Sequence, residues 1–500
     1  MSEVLKQFQE YLEKLSYYNH VVTQLHWDMQ TQTPPKGFDN KADTVTYFST
    51  KAFELETAEE YGQMLEELAR HERLAELDEG VQVTVKRRWK SFQENKRVPK
   101  EFYEKLVRAQ AHSQRAWEEA KKAKDYSIFS PHLQKMIDYT RQLVGYTRPD
   151  MEIYDALLDM YEEGMDSATI DRLFEELKDG LVPLLQKIEK QPAPDESVFE
   201  GEYPIHKQKE LGAFLLEYIG YDMEAGVMGE SEHPFTTGFG PKDVRVTNHY
   251  CEEDAINAIF SIIHEGGHGI FEQGVAERYA KTDVESIPFL GLHESQSRFF
   301  ENILGRNKNF WKPIYEKLGE FLPKFQEISL EQFYQEINHV RAGLIRTNAD
   351  ELSYSLHVIL RYELEKAIFR DGVDAEELPE MWNRKMEELL GVKPENDAEG
   401  ILQDIHWSDG SFGYFPTYAL GNIYDGMFLE KITEELGDVD KILAEGRVKE
   451  ITAWLHDKIH QYGSLRTSKE VIEFVCGKEI SAVPILKYFD DKYSRLYDLV

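Results

Sequence analysis

The stretch SIIHEGGHGIFEQG, residues 261–274, places two histidines four positions apart in a segment with helical character. On a helix, His264 and His268 project from the same face. Glu265 lies about 100° from His264 around the helix, close enough to reach a water on a metal that the pair binds. The spacing therefore predicts a metal-binding helix, and the structure around this helix decides the fold.

Two glycines, Gly266 and Gly267, separate the histidines. Each glycine inside a helix costs about 0.5–1 kcal/mol relative to alanine, so their presence needs a reason. Without a Cβ atom, a substrate or another segment of backbone can approach the helix between the histidines. A close crossing with a neighbouring helix is the alternative, and the sequence leaves both explanations open.

A third metal ligand is expected downstream, because a catalytic zinc ion has three protein ligands and one open position. Glu294 in GLHESQSRFF (291–300) is the preferred residue, on a second predicted helix that follows Gly274 after a short connection. His293 is the competitor, and only one of the two neighbours can face the metal. Glu294 is preferred because two histidines and a glutamate are the usual ligands for this motif.

A second histidine pair, His456 and His460, occurs in WLHDKIHQYG (454–463). Asp457 follows the first histidine, and its side chain is one methylene shorter than that of a glutamate, so it reaches a metal-bound water less well. The apolar and aromatic residues around the pair are typical of a packing segment. We therefore predict a structural role for His460.

Apolar residues recur at helical spacing over most of the chain. The predicted helical stretches run over residues 3–30, 40–75, 100–145 and 165–190. Prolines interrupt the pattern in TQTPPKG (31–37) and KQPAPDE (190–196). HPFTTGFGPKDVRVTNHY (233–250) has turn residues and an alternating run, which predict a β-hairpin or small antiparallel sheet just before the metal helix. The predicted class is mainly α.

Composition and charge narrow the possible partners and compartments. The chain is 41% hydrophobic with a net charge of −34, which indicates a globular protein and argues against nucleic acid or anionic membranes as partners. Its opening, MSEVLKQFQEYLEKL, lacks the features of a secretory signal, and no apolar run is long enough to span a membrane. Two cysteines are too few for a disulfide framework. We expect a cytoplasmic protein.

The motifs, taken together and in order, resemble those of the carboxypeptidase Taq family of metallocarboxypeptidases. The resemblance covers nearly the whole chain. The matching stretches are WDMQTQTPPKG (27–37), YDALLDMYEEGM (154–165), DVRVT (243–247), HEGGH (264–268), HESQS (293–297), IRTNAD (345–350), GILQDIHW (400–407) and GYFPTYALGN (413–422).

The resemblance implies a fold like that of neurolysin and angiotensin-converting enzyme. This would be a single large helical domain, residues 1–500, whose two lobes flank a deep groove, with a small sheet beside the metal helix. The implied activity is the release of single residues from peptide C-termini with broad side-chain tolerance. The resemblance also implies zinc, with cobalt or manganese as alternatives, a homodimer, and a groove closed at one end that favours short peptides.

Peptide hydrolysis needs a nucleophile, a base and a group that stabilises the oxyanion. In the expected mechanism, His264, His268 and Glu294 hold the metal, and Glu265 activates the metal-bound water. An oxyanion donor should face the metal, and the related converting-enzyme group has a histidine followed about ten residues later by a tyrosine in this role. The matching segment here is HWSDGSFGYFPTY, residues 406–418.

Within that segment, His406 matches the histidine, and Tyr418 is the first choice for the tyrosine because it follows Pro416 at a probable helix start. Tyr414 is the second choice and a candidate for contact with the substrate. Simple core packing is the alternative for both rings, since the chain has 27 tyrosines.

An exopeptidase must also hold the free C-terminal carboxylate, and arginine binds carboxylates bidentately. Arg346 in IRTNAD is the first choice, although it could instead pair with Asp350 four residues on. Arg245 in DVRVT is the second choice, on a strand whose edge could pair with the substrate backbone.

Two other functions are compatible with parts of this pattern. An endopeptidase or dipeptidyl peptidase could use the same scaffold, and the candidate carboxylate-binding arginines argue against it. A catalytically silent helical binding protein is the other possibility. The complete set of His264, Glu265, His268 and Glu294 argues against that, because silent relatives usually lose one of these residues.

Overall fold

Helices account for most of the chain in the computed structural model, which describes residues 3–192 and 196–499. The N-terminal helices are α1 (Glu3–Thr31), α2 (Phe38–Glu56), α3 (Glu59–Leu68), α4 (His71–Leu74), α5 (Glu79–Lys96), α6 (Lys100–Ala123), α7 (Ser130–Thr147), α8 (Ile153–Tyr161), α9 (Ser167–Ile188) and α10 (Ile205–Ile219). The predicted stretches 3–30 and 165–190 match single helices. The stretches 40–75 and 100–145 are each divided into shorter ones.

The breaks in the helical pattern lie near the predicted prolines. Helix α1 ends at Thr31, and a 3-10 turn at Pro35–Gly37 leads into α2. Residues 193–195 of the second predicted break lie outside the described residues. An unpredicted break separates α6 from α7, where Lys124 adopts a left-handed conformation with φ of 57°.

The second half of the chain continues in helices. These are α11 (Ala255–Gln273), α12 (Leu290–Arg298), α13 (Lys308–Trp311), α14 (Tyr315–Phe321), α15 (Leu330–Ile337), α16 (Tyr354–Lys366), α17 (Leu378–Leu390), α18 (His406–Asp409), α19 (Pro416–Leu436), α20 (Val439–Ala444), α21 (Val448–Lys458), α22 (Ser468–Cys476) and α23 (Val483–Leu496). No helix in the described part of the chain is both long and apolar enough to cross a membrane.

A small sheet lies against α11. Its strands are β1 (Gly226–Glu230), β2 (Thr236–Gly238) and β3 (Val244–Asn248), in the order β1-β3-β2. Strand β2 pairs antiparallel with β3, but β1 pairs parallel with it. The mainly helical class with a small sheet beside α11 is therefore confirmed, and so is an antiparallel hairpin within 233–250. The sheet as a whole is mixed rather than purely antiparallel, because β1 joins it in the parallel direction. Alternation of side chains reveals a strand but not its direction, and β1 precedes the segment that shows the alternation.

The apolar core joins the helices that surround the sheet and α11. Ile262, Ile263 and Phe271 of α11 are fully buried in this core, and Val244 and Val246 of β3 are buried too. A separate small cluster lies within the N-terminal helices and contains Phe8, Tyr61, Leu65, Leu68 and Val85. Helix α1 also buries Leu15 and Trp27, and its remaining residues are half-buried or exposed.

Helix α12 packs against α11 and α19 so closely that glycines at the contacts leave little room for a Cβ atom. A Cβ atom at Gly267 of α11 would lie 2.6 Å from the backbone oxygen of Gln296 and 2.7 Å from Cα of Ser297. On the opposite side, a Cβ atom at Gly421 of α19 would lie 3.1 Å from the backbone nitrogen of Ser295. Both contacts are with backbone, which cannot rotate away, so the position of α12 depends on the two glycines.

The second glycine of the histidine motif faces a different neighbour. A Cβ atom at Gly266 would lie 2.8 Å from both Leu216 Cδ2 and Ile219 Cδ1 of α10. Close helix packing on two sides of α11 therefore accounts for the glycine pair.

Candidate metal centre

Three side chains converge where α11 faces α12. The possible ligand atoms of His264, His268 and Glu294 all lie within 4.8 Å of one another. Oε2 of Glu294 is 3.9 Å from Nε2 of His264 and 3.8 Å from Nε2 of His268. Atoms that coordinate a tetrahedral zinc ion at about 2 Å lie roughly 3.4 Å apart, so two imidazoles and a carboxylate at this spacing fit such an ion.

The local sequence accounts for the start of α11, and a contact with α5 holds the segment that leads to α12. Asp254 caps the start of α11, where its side chain accepts a hydrogen bond from the backbone nitrogen of Asn257. The predicted short connection to α12 was wrong, since residues 275–289 form a long segment with two 3-10 turns. In this segment Asp283 accepts hydrogen bonds from Nε and Nη2 of Arg88 at 2.9 and 2.7 Å, and these bonds tie it to α5.

A half-buried carboxylate orients the His264 ring. Glu301 Oε2 is 2.8 Å from Nδ1 of His264, in a π-helical turn (Phe299–Leu304) that continues α12. Burial disfavours charge on both groups, but their hydrogen bond and the nearby charges raise the pKa of His264 to about 9 and hold that of Glu301 at about 2. Because Nδ1 is engaged, Nε2 is left to face a metal.

His293 does not join the three converging side chains, but it supports one of them. Its Nδ1 is 2.6 Å from Nδ1 of His268, and its Nε2 is 3.2 Å from Oε1 of Glu272. Burial, together with His293 and His264, lowers the pKa of His268 well below its ordinary value. His268 is therefore neutral, with Nδ1 engaged and Nε2 directed at Glu294.

Glu265 lies beside the histidines and is almost completely buried, with 7% of its surface exposed. Its Oε2 accepts a hydrogen bond of 2.7 Å from the hydroxyl of Thr236 on β2. Burial raises the pKa of the Glu265 carboxyl group above its ordinary value, and the Thr236 hydrogen bond partly opposes this.

His406, Tyr414 and Tyr418 form an aromatic cluster. The His406 ring centroid is 5.1 Å from that of Tyr414 and 6.4 Å from that of Tyr418, and the two tyrosine rings are 5.3 Å apart. Tyr418 lies in the first turn of α19, as its position after Pro416 predicts. Burial lowers the pKa of His406 to about 4 and raises that of Tyr418 well above its ordinary value, so both side chains are neutral near pH 7.

A row of stacked side chains connects the candidate metal ligands to this cluster. Arg298 lies 3.7 Å from Glu294 and stacks over the Tyr354 ring at 4.0 Å. The Tyr354 hydroxyl accepts a hydrogen bond of 3.0 Å from Nη1 of Arg346. The Arg346 guanidinium lies 4.9 Å from the ring centroid of Tyr418, so the candidate carboxylate-binding and oxyanion-stabilising residues are neighbours.

The partner of Arg346 is Asp404. Nε and Nη2 of Arg346 donate hydrogen bonds to Oδ1 of Asp404 at 3.1 and 2.9 Å. Asp404 also accepts a hydrogen bond from the buried Arg361. The alternative pairing of Arg346 with Asp350 is wrong, because residues 346–348 form a 3-10 turn and Asp350 instead accepts hydrogen bonds from Ser353. Two guanidinium groups share one carboxylate, so this buried cluster has excess positive charge.

Arg245 has a different environment. Its Nε and Nη2 each donate to one oxygen of Asp243 at 2.8 Å, and its guanidinium stacks over Phe239 at 4.3 Å. Strand β3, which contains Arg245, is the central strand, so the sheet edge in this segment belongs to β2 and not to the strand of Arg245. Among the described residues, none of its hydrogen bonds or ring contacts reaches the metal ligands or Tyr418.

Of the second histidine pair, His460 has a structural role, as predicted, whereas His456 is exposed. His460 is fully buried, and its Nε2 lies 2.8 Å from Oε1 of Gln296 on α12. Burial lowers its pKa to about 3, so it is neutral.

Sequence reasoning missed Glu301, Thr236, Glu272 and Asp404. A signal existed for Glu301, which lies seven residues after Glu294 and hence on nearly the same helical face. Thr236 lies in the segment predicted to be a hairpin, but nothing in the sequence indicates that its hydroxyl contacts Glu265.

Comparison with known proteins identifies relatives over nearly the whole chain. Residues 7–493 match a family model described as carboxypeptidase Taq (M32) metallopeptidase. Carboxypeptidase 1 of Bacillus subtilis is 40% identical over 494 residues, or 98% of each chain. Thermostable carboxypeptidase 1 of Thermus thermophilus is 36% identical over 481 residues, or 94% of each. The crystal structure of the M32 carboxypeptidase from Deinococcus radiodurans superimposes with a TM-score of 0.95 at 29% identity, covering 100% of both chains.

Proposed function

The chain belongs to the carboxypeptidase Taq (M32) family of metallopeptidases and is a metallocarboxypeptidase, and from this premise we propose that it releases single C-terminal residues from short peptides with broad side-chain tolerance. The observation that supports this most directly is the convergence of His264, His268 and Glu294 beside the buried Glu265.

We propose that these three residues hold zinc, with cobalt or manganese as alternatives. Catalytic zinc is commonly bound by two imidazoles and one carboxylate. Each of these imidazoles is held in place through its other ring nitrogen, as is usual for histidine ligands. When bound, the metal polarises the scissile carbonyl group and lowers the pKa of water.

Glu265 is the proposed general base. It takes a proton from the attacking water and passes it to the leaving amine. Burial supports this role, because a carboxyl group whose pKa is raised towards neutrality can both accept and return a proton.

Tyr418 is the proposed donor to the developing oxyanion, with Tyr414 and His406 beside it. Its raised pKa supports this role, since the hydroxyl keeps its proton at neutral pH and can donate it in a hydrogen bond. Tyr414 remains the candidate for substrate contact, and its pKa is also raised by burial.

Arg346 is the proposed site for the substrate's C-terminal carboxylate. Three of its five N–H groups are engaged by Asp404 and Tyr354, so two remain for a ligand. Arg346 and Arg361 carry two positive charges, and Asp404 carries one negative charge. The positive charge that remains favours binding of an anion beside Arg346. Arg245 is the weaker candidate because Asp243 balances its charge.

The remaining features are proposed from the resemblance and the core. We propose one domain over residues 1–500 with two lobes that flank a groove, and the continuous apolar core that links α6 to α23 supports a single unit. The homodimer and the cytoplasmic location stay predictions.

The test compares a short peptide with its C-terminal amide. Arg346→Ala should lower kcat/KM for the free-acid peptide by roughly two orders of magnitude, because a desolvated arginine–carboxylate pair is lost from the transition state. The already slow cleavage of the amide should barely change, and this serves as the internal control for folding. Products are identified by mass.

Arg245→Ala is the matched variant, and a larger loss there, specific for the free acid, would transfer the role. If the wild-type enzyme cleaves the amide as fast as the acid, no arginine recognises the terminus, and an endopeptidase mode replaces the proposal.

A further inference from the structure

We propose that Thr236 is a positioning residue for Glu265, whose carboxylate it holds by one oxygen so that the other oxygen faces the attacking water. This inference rests on the role proposed above for Glu265. It assigns a function to strand β2, which contributes no metal ligand.

The hydrogen bond itself is short and directed at the charged group. The Thr236 hydroxyl lies 2.7 Å from Oε2 of Glu265 and 3.1 Å from the backbone oxygen of the same residue. A hydroxyl group has one proton to donate, and a carboxylate is a stronger acceptor than a neutral carbonyl group. The proton therefore goes to Oε2.

Thr236 is the only hydrogen-bond donor to this carboxylate among residues 3–192 and 196–499. No lysine or arginine there pairs with Glu265 either. Oε1 has no partner, yet it is not among the buried polar atoms that are sealed from solvent. The arrangement thus leaves one oxygen fixed and the other accessible, as a base that takes a proton from water requires.

The strand determines where the hydroxyl points. Thr236 and Gly238 lie on the same face of β2, since side chains alternate along a strand. A Cβ atom at Gly238 would lie 1.7 Å from Oε2 of Glu272, so β2 lies directly across α11 with Thr236 at Glu265 and Gly238 at Glu272. Threonine is β-branched and restricted in χ1, which keeps its hydroxyl in one direction once the strand is placed.

The first test separates the hydroxyl group from the shape of the side chain. Thr236→Val keeps the shape and removes the donor, so kcat should fall ~10–100-fold while KM and metal content stay near wild type, because only the alignment of the base is lost. Thr236→Ser restores the donor and should recover kcat to within about threefold of wild type. Thr237→Val is the matched control, because that side chain lies on the opposite face of β2.

A double-mutant cycle then shows whether Thr236 acts through Glu265. Glu265→Gln should retain the metal and lose most activity, and adding Thr236→Val to it should cost less than about twofold more. A full additional loss in that background would mean that Thr236 acts elsewhere, and this would overturn the proposal.

Two further outcomes distinguish this proposal from the function on which it rests. If Thr236→Val keeps kcat within about twofold while Glu265→Gln is inactive, the positioning role fails and the base assignment stands. If Glu265→Gln itself stays within about tenfold of wild type, the base assignment fails, and the role of Thr236 fails with it.

Discussion

Glu365 shows how one buried residue holds the turn between His406 and Tyr414 in place. Its carboxylate accepts hydrogen bonds from the Tyr154 hydroxyl at 2.8 Å, the Trp407 indole at 2.7 Å and the backbone nitrogen of Gly413 at 2.9 Å. These bonds hold the turn that follows His406. Burial raises the pKa of Glu365 to about 7, although the three donors oppose the shift.

This raised pKa has a predictable effect on stability. The pKa in the native state, about 7, exceeds the ordinary value of 4.5, so the native state binds the proton more tightly than the unfolded chain does. The resulting stabilisation is complete below about pH 4.5 and is lost as the pH rises through 7. Glu365→Gln cannot titrate, so the decline in the free energy of unfolding between pH 5 and 8 should become shallower, as measured by urea denaturation.

Glu376→Gln, at an exposed position, is the control and should leave this pH dependence unchanged. If the slopes of wild type and Glu365→Gln coincide, Glu365 does not titrate in that range.

At the level of single residues, the sequence was most informative where contacts are local. His264, Glu265 and His268 lie within five positions, so helical geometry alone brings them together. Arg346 and Asp404 are 58 positions apart, and nothing in the sequence specifies which buried acid meets which arginine. The pairing with Asp350 was proposed because it was near in sequence, and the 3-10 turn removed the helix on which that pairing depends.

Among the elements, α12 should be sensitive to substitution at the glycines that contact it, because it carries Glu294 and packs against both α11 and α19. Gly267→Ala should destabilise the protein by about 1–3 kcal/mol and weaken zinc binding, because the new methyl group meets the backbone of Gln296 and Ser297. Both effects are measurable by urea denaturation and by competition with a chromophoric chelator.

Gly266→Ala is the matched control. Its methyl group meets the ends of the Leu216 and Ile219 side chains, which can rotate, and alanine is about 1 kcal/mol better than glycine in a helix. Near-neutral stability and unchanged zinc affinity are expected. Equal losses in the two variants would contradict the packing explanation.

Elements were predicted well where their periodicity was strong. The period of α1 and α9 was clear, and their bounds agree with the expectation within a few residues. The histidine motif was likewise expected to be helical, and it lies within α11. Strand β1 was missed because GVMGE has two glycines and no alternation of apolar and polar residues. The segment between α11 and α12 was expected to be short because its 3-10 turns have no signature comparable to that of a helix.

For the whole molecule, metal binding and stability should be linked. The candidate ligands come from two helices, so the site exists only in the native state. A metal that binds only the native state raises the free energy of unfolding by about 4 kcal/mol when its free concentration is 1,000 times Kd. Removal of the metal by a chelator should therefore lower Tm, and buffered zinc should restore it. Glu294→Ala should have a Tm that does not respond to zinc, and a wild-type Tm independent of zinc would argue against the site.

The helical class of the molecule follows from composition and periodicity, but its tertiary arrangement does not. Apolar stripes show that each helix has a buried face without showing which helix covers it. The resemblance to a known family supplied the overall fold, and the sequence motifs supplied the candidate site.

The contacts of α12 also determine how this protein can be engineered for greater stability. Replacement of helical glycines by alanine is a common stabilising strategy, worth about 0.4–1 kcal/mol where space allows. Gly145 in α7 suits it, since a Cβ atom there would meet nothing within 4 Å. Gly267 and Gly421 do not, because an added methyl group at either position would press on the segment that presents Glu294. A uniform glycine-to-alanine library would therefore disturb the helix that carries Glu294, whereas Gly145→Ala would not.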